Sequence, residues 1–218
     1  MFTRNADAIS RSRHSERRTG GSGRGLVYAL CLWGLGVVGS IGSLDRYANA
    51  PGDPGEAPGR WPSATSITRR PGRPALVMFI HPRCPCTRAS LEELARLLAN
   101  CRRMADVHGI FVVPEGYSAT WARSDLWRLA STIPDVQVML DWQGCEARRF
   151  GAATSGLVQL YDSVGSLVFS GGVTGARNHE GNNAGAGAVY AWLRRGSADR
   201  RDAFVFGCPL FDSSEEPR

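Results

Sequence analysis

The fold of this chain is decided by the stretch ALVMFIHPRCPCT, residues 75–87. Its first six residues are all apolar, which is typical of a strand buried on both faces. A helical pattern follows from Ser90, so Cys84 and Cys86 lie at a strand-to-helix corner. Because the N-terminus of a helix stabilises a thiolate, this corner is the predicted site of thiol chemistry.

Strand and helix patterns alternate after the corner. Helices are predicted over residues 90–104, 120–132, 145–150 and 184–195, strands over 107–113 and 136–140, and a hairpin over 157–161 and 166–170. The alternation implies parallel strands joined by crossovers, and the hairpin adds antiparallel pairing. The expected fold class is therefore α/β, a three-layer sandwich with a mixed central sheet over residues 75–195.

The N-terminal residues have the pattern of a membrane anchor. Residues 1–24 carry six arginines against two acidic residues, which is +4 of the net charge of +6. Residues 25–44 are uncharged and long enough to span a bilayer. The positive-inside rule then predicts a single-pass protein of the cell inner membrane, with a cytoplasmic tail and an extracytoplasmic domain.

A cleaved signal peptide is the alternative interpretation. Ala48-Asn49-Ala50 has the small-x-small form of a cleavage site. Pro51 would follow the cut directly, and the apolar run is longer than the usual signal core of about 7–15 residues. These two features favour an uncleaved signal-anchor.

Two further segments flank the predicted domain. Residues 45–74 hold six of the twelve prolines and four glycines, which is typical of a semi-rigid tether, so the folded domain is expected to begin near Ala75. Residues 196–218 are expected to form a C-terminal tail carrying Cys208. Because only +2 of charge remains outside the first 24 residues, no nucleic-acid partner is expected.

From these features, the chain resembles membrane-anchored thioredoxin-fold proteins of the TlpA/ResA type. The strand and corner of residues 79–84 and the hairpin of residues 160–167 match that family in order. The His-Pro-x-Cys-Pro-Cys corner also resembles a subgroup of RedB-like proteins. The resemblance implies a periplasmic thiol–disulfide oxidoreductase whose partners are other extracytoplasmic thiol or disulfide proteins.

Two positions depart from the family pattern. Thr87 stands where the family has its second cysteine, and Gly156 stands where it has a cis-proline that shapes the substrate groove. The resemblance therefore implies that Ser155 and Gly156 line the groove. It also implies that metal binding is easier here, because the family's cis-proline keeps metals away from the thiols.

Cys84 and Cys86 are the predicted catalytic residues. Helix N–H groups and a neighbouring Arg83 or Arg88 can stabilise a Cys84 thiolate. That thiolate would attack a partner disulfide, and Cys86 would then release the partner, with no cofactor needed. The competing interpretation is two structural cysteines, which are seldom paired at an exposed corner.

A metal site is the second chemical hypothesis, and a redox-silent interaction domain is the third. Cys84 and Cys86 are soft ligands suited to Cu(I) or zinc. His179 or Cys208 could complete a copper site if the fold brings them near the pair. Copper-delivery proteins with a thioredoxin fold use two corner cysteines and a later histidine.

The later candidate residues keep alternative roles. His179 could be a ligand or a general base, or its loop could serve only to begin the last helix, which Asn182 or Asn183 would cap. Cys208 could be a third redox thiol, a metal ligand or half of a disulfide with Cys145.

Overall fold

The computed structural model describes residues 22–211 in two units, the second of which begins at Asp45. Residues 1–21, with most of the predicted basic tail, lie outside the described residues. Helix α1 spans Ser22–Asn49, and its stretch Gly23–Asn49, with a mean hydropathy of 1.8, is long and apolar enough to cross a membrane. Its length and composition fit both the predicted anchor and a signal sequence.

The second unit is built on a six-stranded mixed sheet with the order β3-β2-β1-β4-β5-β6. In chain order the strands are β1 Ala75–Ile80, β2 Asp106–Val113, β3 Val136–Trp142, β4 Val158–Tyr161, β5 Leu167–Gly171 and β6 Asp202–Ala203. The first three strands are parallel, and β4 pairs antiparallel with both β1 and β5. This arrangement confirms the predicted mixed sheet and places β1, which leads into the cysteine corner, near its centre.

The helices connect and cover these strands. Besides α1 they are α2 Thr87–Asn100, α3 Ala119–Ala122, α4 Asp125–Thr132, α5 Cys145–Arg149 and α6 Ala184–Arg195. The helix predicted over residues 120–132 is divided, because Ser124 takes an extended conformation as the N-cap of α4. Helix α2 ends at Asn100, earlier than predicted, because the backbone of Cys101 is no longer helical (φ −126°, ψ 38°).

The core lies on both faces of the sheet. All six residues of β1 are buried, as predicted for a strand covered on both faces. Leu76 and Met78 pack toward α2, α4 and α6. Val77 and Phe79 pack on the opposite face against Phe150 of the α5 end and neighbouring side chains.

The structure differs from the predicted tether of residues 45–74. Gly52 donates its N–H to the Val205 carbonyl (2.8 Å), and the Trp61 ring packs edge-on against Phe150 at 5.1 Å between centroids. Ile67 is buried in the same cluster. The proline and glycine content predicted an unpacked segment. Burial of the Trp61 and Ile67 side chains stabilises its packing on the folded unit instead. The folded unit therefore begins well before Ala75.

The predicted C-terminal tail is also part of the folded unit as far as the structure describes it. Strand β6 pairs parallel with β5. Beyond it, Pro209 forms an antiparallel bridge with Thr154, and Leu210 donates its N–H to the Ala153 carbonyl (2.8 Å). These contacts place the segment around Cys208 beside the cysteine corner.

Candidate thiol site at the cysteine corner

The corner has the predicted geometry of strand, turn and helix. Strand β1 ends at Ile80, and in the turn that follows the Cys84 N–H donates a hydrogen bond to the His81 carbonyl (3.1 Å). Helix α2 begins at Thr87, whose N–H donates to the Cys84 carbonyl (3.2 Å). Cys84 and Cys86 are only 1% and 3% exposed. The expectation of an exposed corner is therefore wrong: the thiols lie within the packed unit.

Cys208 lies directly against Cys84. Their Sγ atoms are 3.0 Å apart, and the Cys208 backbone N–H points at the Cys84 sulfur at 3.3 Å. The Ser155 N–H donates a hydrogen bond to the Cys208 carbonyl (2.9 Å). Gly207 allows this approach, since a Cβ at that position would overlap the Ser155 carbonyl oxygen. The tail cysteine is thus built into the corner.

Three sulfur atoms form the group at this site. The Sγ atoms of Cys84, Cys86 and Cys208 all lie within 4.8 Å of one another. His179 does not belong to this group among the described residues, and its side chain is exposed in the loop before α6. The predicted soft-metal ligand set is therefore brought together without its histidine.

The loop that carries His179 has the capping role that the sequence also allowed. The Asn183 side chain accepts a hydrogen bond from the Ala186 N–H (2.8 Å) and caps α6. The proposed disulfide between Cys145 and Cys208 is not formed. Cys145 is exposed and free, and the thiol beside Cys208 is Cys84.

The two touching thiols have opposite acidities. Burial raises the pKa of the Cys84 thiol, but hydrogen bonds from Thr87 and Cys208 outweigh burial and hold that pKa below its ordinary value. Burial, followed by the hydrogen bond to Cys84 and its negative charge, raises the pKa of Cys208 to about 12. The first proton that the pair loses therefore comes from Cys84, the remaining proton stays on Cys208, and Cys84 is the thiol that becomes the reactive thiolate.

The residues predicted to line a substrate groove are buried instead. Ser155 is fully buried, and its Oγ accepts the His81 N–H (2.8 Å). The Gly156 N–H bonds to the Phe79 carbonyl (2.8 Å) within the sheet. Neither residue offers surface to a substrate, because the tail segment that carries Cys208 pairs with the chain just before β4.

The fold of the second unit has recognisable relatives. No protein-family model and no curated protein matches the sequence. Among solved structures, an uncharacterized conserved protein from Geobacillus kaustophilus matches with a TM-score of 0.54 at 15% identity, covering 76% of this chain and 94% of that one. The central β1, the parallel β1–β3 and the antiparallel hairpin give the sheet arrangement predicted from the sequence, and this likeness agrees with it. The chain is a thioredoxin-fold protein.

Two further solved structures were found at lower TM-scores. A hypothetical protein from Sinorhizobium meliloti 1021 has a TM-score of 0.49 at 23% identity, covering 65% of this chain and 81% of that one. The exposed lipoprotein thioredoxin Etrx1 from Streptococcus pneumoniae strain TIGR4 has a TM-score of 0.40 at 16% identity, covering 56% and 84%. At these identities, function has to be argued from the site itself.

Within the thioredoxin fold, this site has features that sequence reasoning did not assign. The Thr87 hydroxyl supports the Cys84 thiolate, although only its place in the family pattern singled it out in the sequence. Trp121 lies beside the corner, with its ring centroid 5.7 Å from that of His81. The Arg83 guanidinium lies 5.2 Å over the same Trp121 ring. No spacing pattern in the sequence joins Trp121 to a corner about forty residues earlier.

Proposed function

We propose that the protein is a membrane-tethered, extracytoplasmic thiol–disulfide exchange protein in which Cys84 is the nucleophile. The observation that carries this proposal is the 3.0 Å contact between the Sγ atoms of Cys84 and Cys208. Exchange needs one sulfur that attacks and a second that releases the partner, and a thiolate beside a protonated thiol supplies both. Residues 25–44 provide the proposed tether in the bilayer. The proposed partners are other thiol or disulfide proteins outside the cytoplasm.

The proposed reaction has two balanced steps. The Cys84 thiolate attacks one sulfur of a partner disulfide, the partner's S–S bond breaks, and its other sulfur leaves as a thiolate that takes up a proton. A mixed disulfide now joins Cys84 to the partner. A second thiol of the protein loses its proton and attacks the Cys84 sulfur, which releases the partner as a dithiol and leaves the protein as a disulfide.

Cys208 is the proposed resolving thiol, in place of Cys86. Its sulfur touches Cys84, whereas a bridge from Cys84 to Cys86 would close a small ring around Pro85, and bridged cysteines prefer Cα separations of about 5.5–6 Å. Formation of the mixed disulfide also removes the Cys84 charge, which is one cause of the raised Cys208 pKa. The attacking thiol is therefore activated only after the first step.

The test is a redox titration of the full-length protein in detergent, with thiol trapping and mass mapping of the disulfide. Cys84→Ser, Cys86→Ser and Cys208→Ser are compared, and Cys145→Ser is the control because Cys145 is an exposed, free thiol. We expect a two-electron couple that is lost in Cys84→Ser and Cys208→Ser. It should persist in Cys86→Ser and in the control.

Two results would count against this scheme. If no pair of thiols interconverts with a disulfide in the wild-type protein, exchange is not the function. If the mapped bridge joins Cys84 to Cys86 and survives in Cys208→Ser, exchange stands and the resolving role returns to Cys86.

A soft-metal site is a second candidate function, favoured by the group of three thiols. Sulfur ligands within 4.8 Å of one another can share one ion, and thiolates select Cu(I) or zinc. The proposed role would be copper binding and delivery for cofactor assembly. Cys84 already carries a lowered pKa, which favours the deprotonated ligand that a metal needs.

Anaerobic titration of the reduced protein with Cu(I) tests this candidate. Stoichiometric binding should be lost in Cys84→Ser and weakened in Cys208→Ser. His179→Ala should bind like the wild type, because His179 lies outside the thiol group. An absence of Cu(I) binding by the wild-type protein would eliminate the candidate.

A further inference from the structure

A cleft of about 720 Å³ opens beside the nucleophile. Its lining includes Cys84 from the corner and Trp121 from α3. Four arginines line it: Arg83, Arg88, Arg123 and Arg128. The cleft therefore lies between the corner that holds the buried Cys84 and the α3–α4 region.

The cleft has an unbalanced positive charge. Asp125 is the one carboxylate in its lining, and it already pairs with Arg128. Among the described residues, no carboxylate oxygen lies within 4 Å of the guanidinium groups of Arg83, Arg88 or Arg123. These three side chains are exposed, so each can reach an anionic group on a binding partner.

Two other cavities of the same unit show the contrast. In one of them Arg70 and Arg73 both pair with the buried Asp106. In another Arg96 pairs with Glu93 and with a second glutamate, Glu180. Arg70, Arg73 and Arg96 therefore have carboxylate partners within the protein, whereas Arg83, Arg88 and Arg123 form no ion pair within 4 Å among the described residues.

Trp121 adds an apolar surface to this charged cleft. Its half-buried ring packs against Tyr117 at 4.4 Å between centroids and lies under Arg83. An aromatic ring held in this way supplies contact area to a peptide at little entropic cost. The guanidinium groups around it match the planar, bidentate geometry of carboxylates.

We infer that the cleft binds an acidic polypeptide segment of the exchange partner, in which Asp or Glu side chains flank the disulfide that Cys84 attacks. This inference rests on the proposed exchange function and names its class of substrate. The unpaired arginines hold the flanking carboxylates, and the segment lies along Trp121 with its disulfide at the Cys84 end. A field of one sign in a cleft also raises the local concentration of an oppositely charged substrate.

The experiment measures how fast the reduced full-length protein reduces disulfide-bridged peptides that differ only beside the bridge. One peptide carries Glu flanks, one Gln flanks and one Lys flanks. A small dianionic disulfide, 5,5′-dithiobis(2-nitrobenzoate), is compared with the neutral 2,2′-dithiodipyridine. This comparison tests whether negative charge without a polypeptide is sufficient for fast reduction. The cleft variant replaces Arg83, Arg88 and Arg123 by Gln. The matched control replaces Arg102, Arg195 and Arg200, exposed arginines outside the cleft lining, and removes the same total charge.

We expect the wild type to prefer the Glu-flanked over the Gln-flanked peptide by roughly tenfold at low ionic strength, with the Lys-flanked peptide slowest. The preference should shrink in salt and in the cleft variant, and it should persist in the control variant. Equal rates for the three peptides would overturn the inference, and so would an equal loss of preference in both variants. A preference for the small dianion without one for the Glu-flanked peptide would overturn the assignment to a polypeptide. If no disulfide is reduced through Cys84, the proposed function itself fails, which is a separate outcome.

Discussion

The hydroxyl oxygens of Thr87 and Ser155 lie 2.7 Å apart, and this contact orients a chain of hydrogen bonds toward Cys84. The Ser155 Oγ accepts the His81 N–H, so its own hydrogen is available to Thr87. The Thr87 hydrogen is then available to the Cys84 sulfur. Because Ser155 and Thr87 are both fully buried, water does not compete for these bonds. A threonine at the family's second-cysteine position thus stabilises the thiolate instead of resolving a disulfide.

Replacement of Thr87 by Val should make Cys84 less acidic. The side-chain hydrogen bond from Thr87 is one of the causes of the lowered Cys84 pKa, and Val keeps the shape without the hydroxyl. A hydrogen bond to a charged group contributes about 1.5 kcal/mol or more, so alkylation of Cys84 at neutral pH should slow by roughly tenfold. The measurement is the pH dependence of iodoacetamide labelling, followed by mass spectrometry. Thr87→Ser should restore the wild-type profile, and an unchanged profile in Thr87→Val would contradict the role given to the hydroxyl.

Cys208 should become more acidic when Cys84 is removed. Burial remains in Cys84→Ser, but the negative charge of the Cys84 thiolate, which also raises the Cys208 pKa, is lost. At pH 9 we therefore expect faster alkylation of Cys208 in Cys84→Ser than in the wild type. Cys145 provides an internal control, since it is exposed and its labelling should be the same in both proteins. Slower or equal labelling of Cys208 would show that the two thiols do not share a proton.

Gly207→Ala should separate Cys208 from Cys84. An added Cβ would overlap the Ser155 carbonyl oxygen, so the segment that carries Cys208 has to shift. We expect slower formation of the Cys84–Cys208 disulfide and a loss of about 1–3 kcal/mol in the free energy of unfolding. Gly187→Ala in α6 is the matched control, because its Cβ meets no atom within 4 Å and a helical alanine should stabilise slightly. Wild-type disulfide kinetics in Gly207→Ala would mean that the tail position is not required.

Glu146 should stabilise the packing of the proline-rich segment, residues 45–74, to an extent that depends on pH. Its carboxylate accepts hydrogen bonds from the Thr65 hydroxyl, the Ser66 N–H (3.0 Å) and the Ser66 hydroxyl (2.9 Å). Burial raises the pKa of Glu146, but these bonds and the charge of Arg149 outweigh burial, so the pKa lies below its ordinary value of 4.5. A depressed folded pKa means that the stabilisation is complete above pH 4.5 and is lost as the pH falls through the folded value.

Urea unfolding of Glu146→Gln at several pH values checks this expectation. At pH 7 the variant should lose about 1–3 kcal/mol in the free energy of unfolding, and proteolysis between residues 50 and 70 should become faster. The difference from the wild type should narrow below pH 4.5. Glu115→Gln, at an exposed position, should behave like the wild type. A loss that stays constant with pH would show that the carboxylate charge is not involved.

Local patterns were sufficient for much of the fold. The apolar run of β1, the hairpin of β4 and β5 and the helical spacing after Ser90 each depend on neighbouring residues, and all three were confirmed. These elements together predicted the mixed sheet, because only a few chain connections between such strands and helices occur in folded proteins. The structure differs from the prediction for the segment before β1, since composition does not reveal that Trp61 packs against Phe150 on one face of the sheet.

By itself, the sequence determined that two cysteines lie where a strand enters a helix, because residue periodicity and turn chemistry act over a few residues. Only the tertiary structure decided which sulfur lies against Cys84. Cys208 is 124 residues away and reaches it through the bridge between Thr154 and Pro209 and the close approach at Gly207. Such long-range contacts depend on the register and packing of segments that are distant in the sequence. They produce no periodic pattern or fixed residue spacing from which they could be predicted.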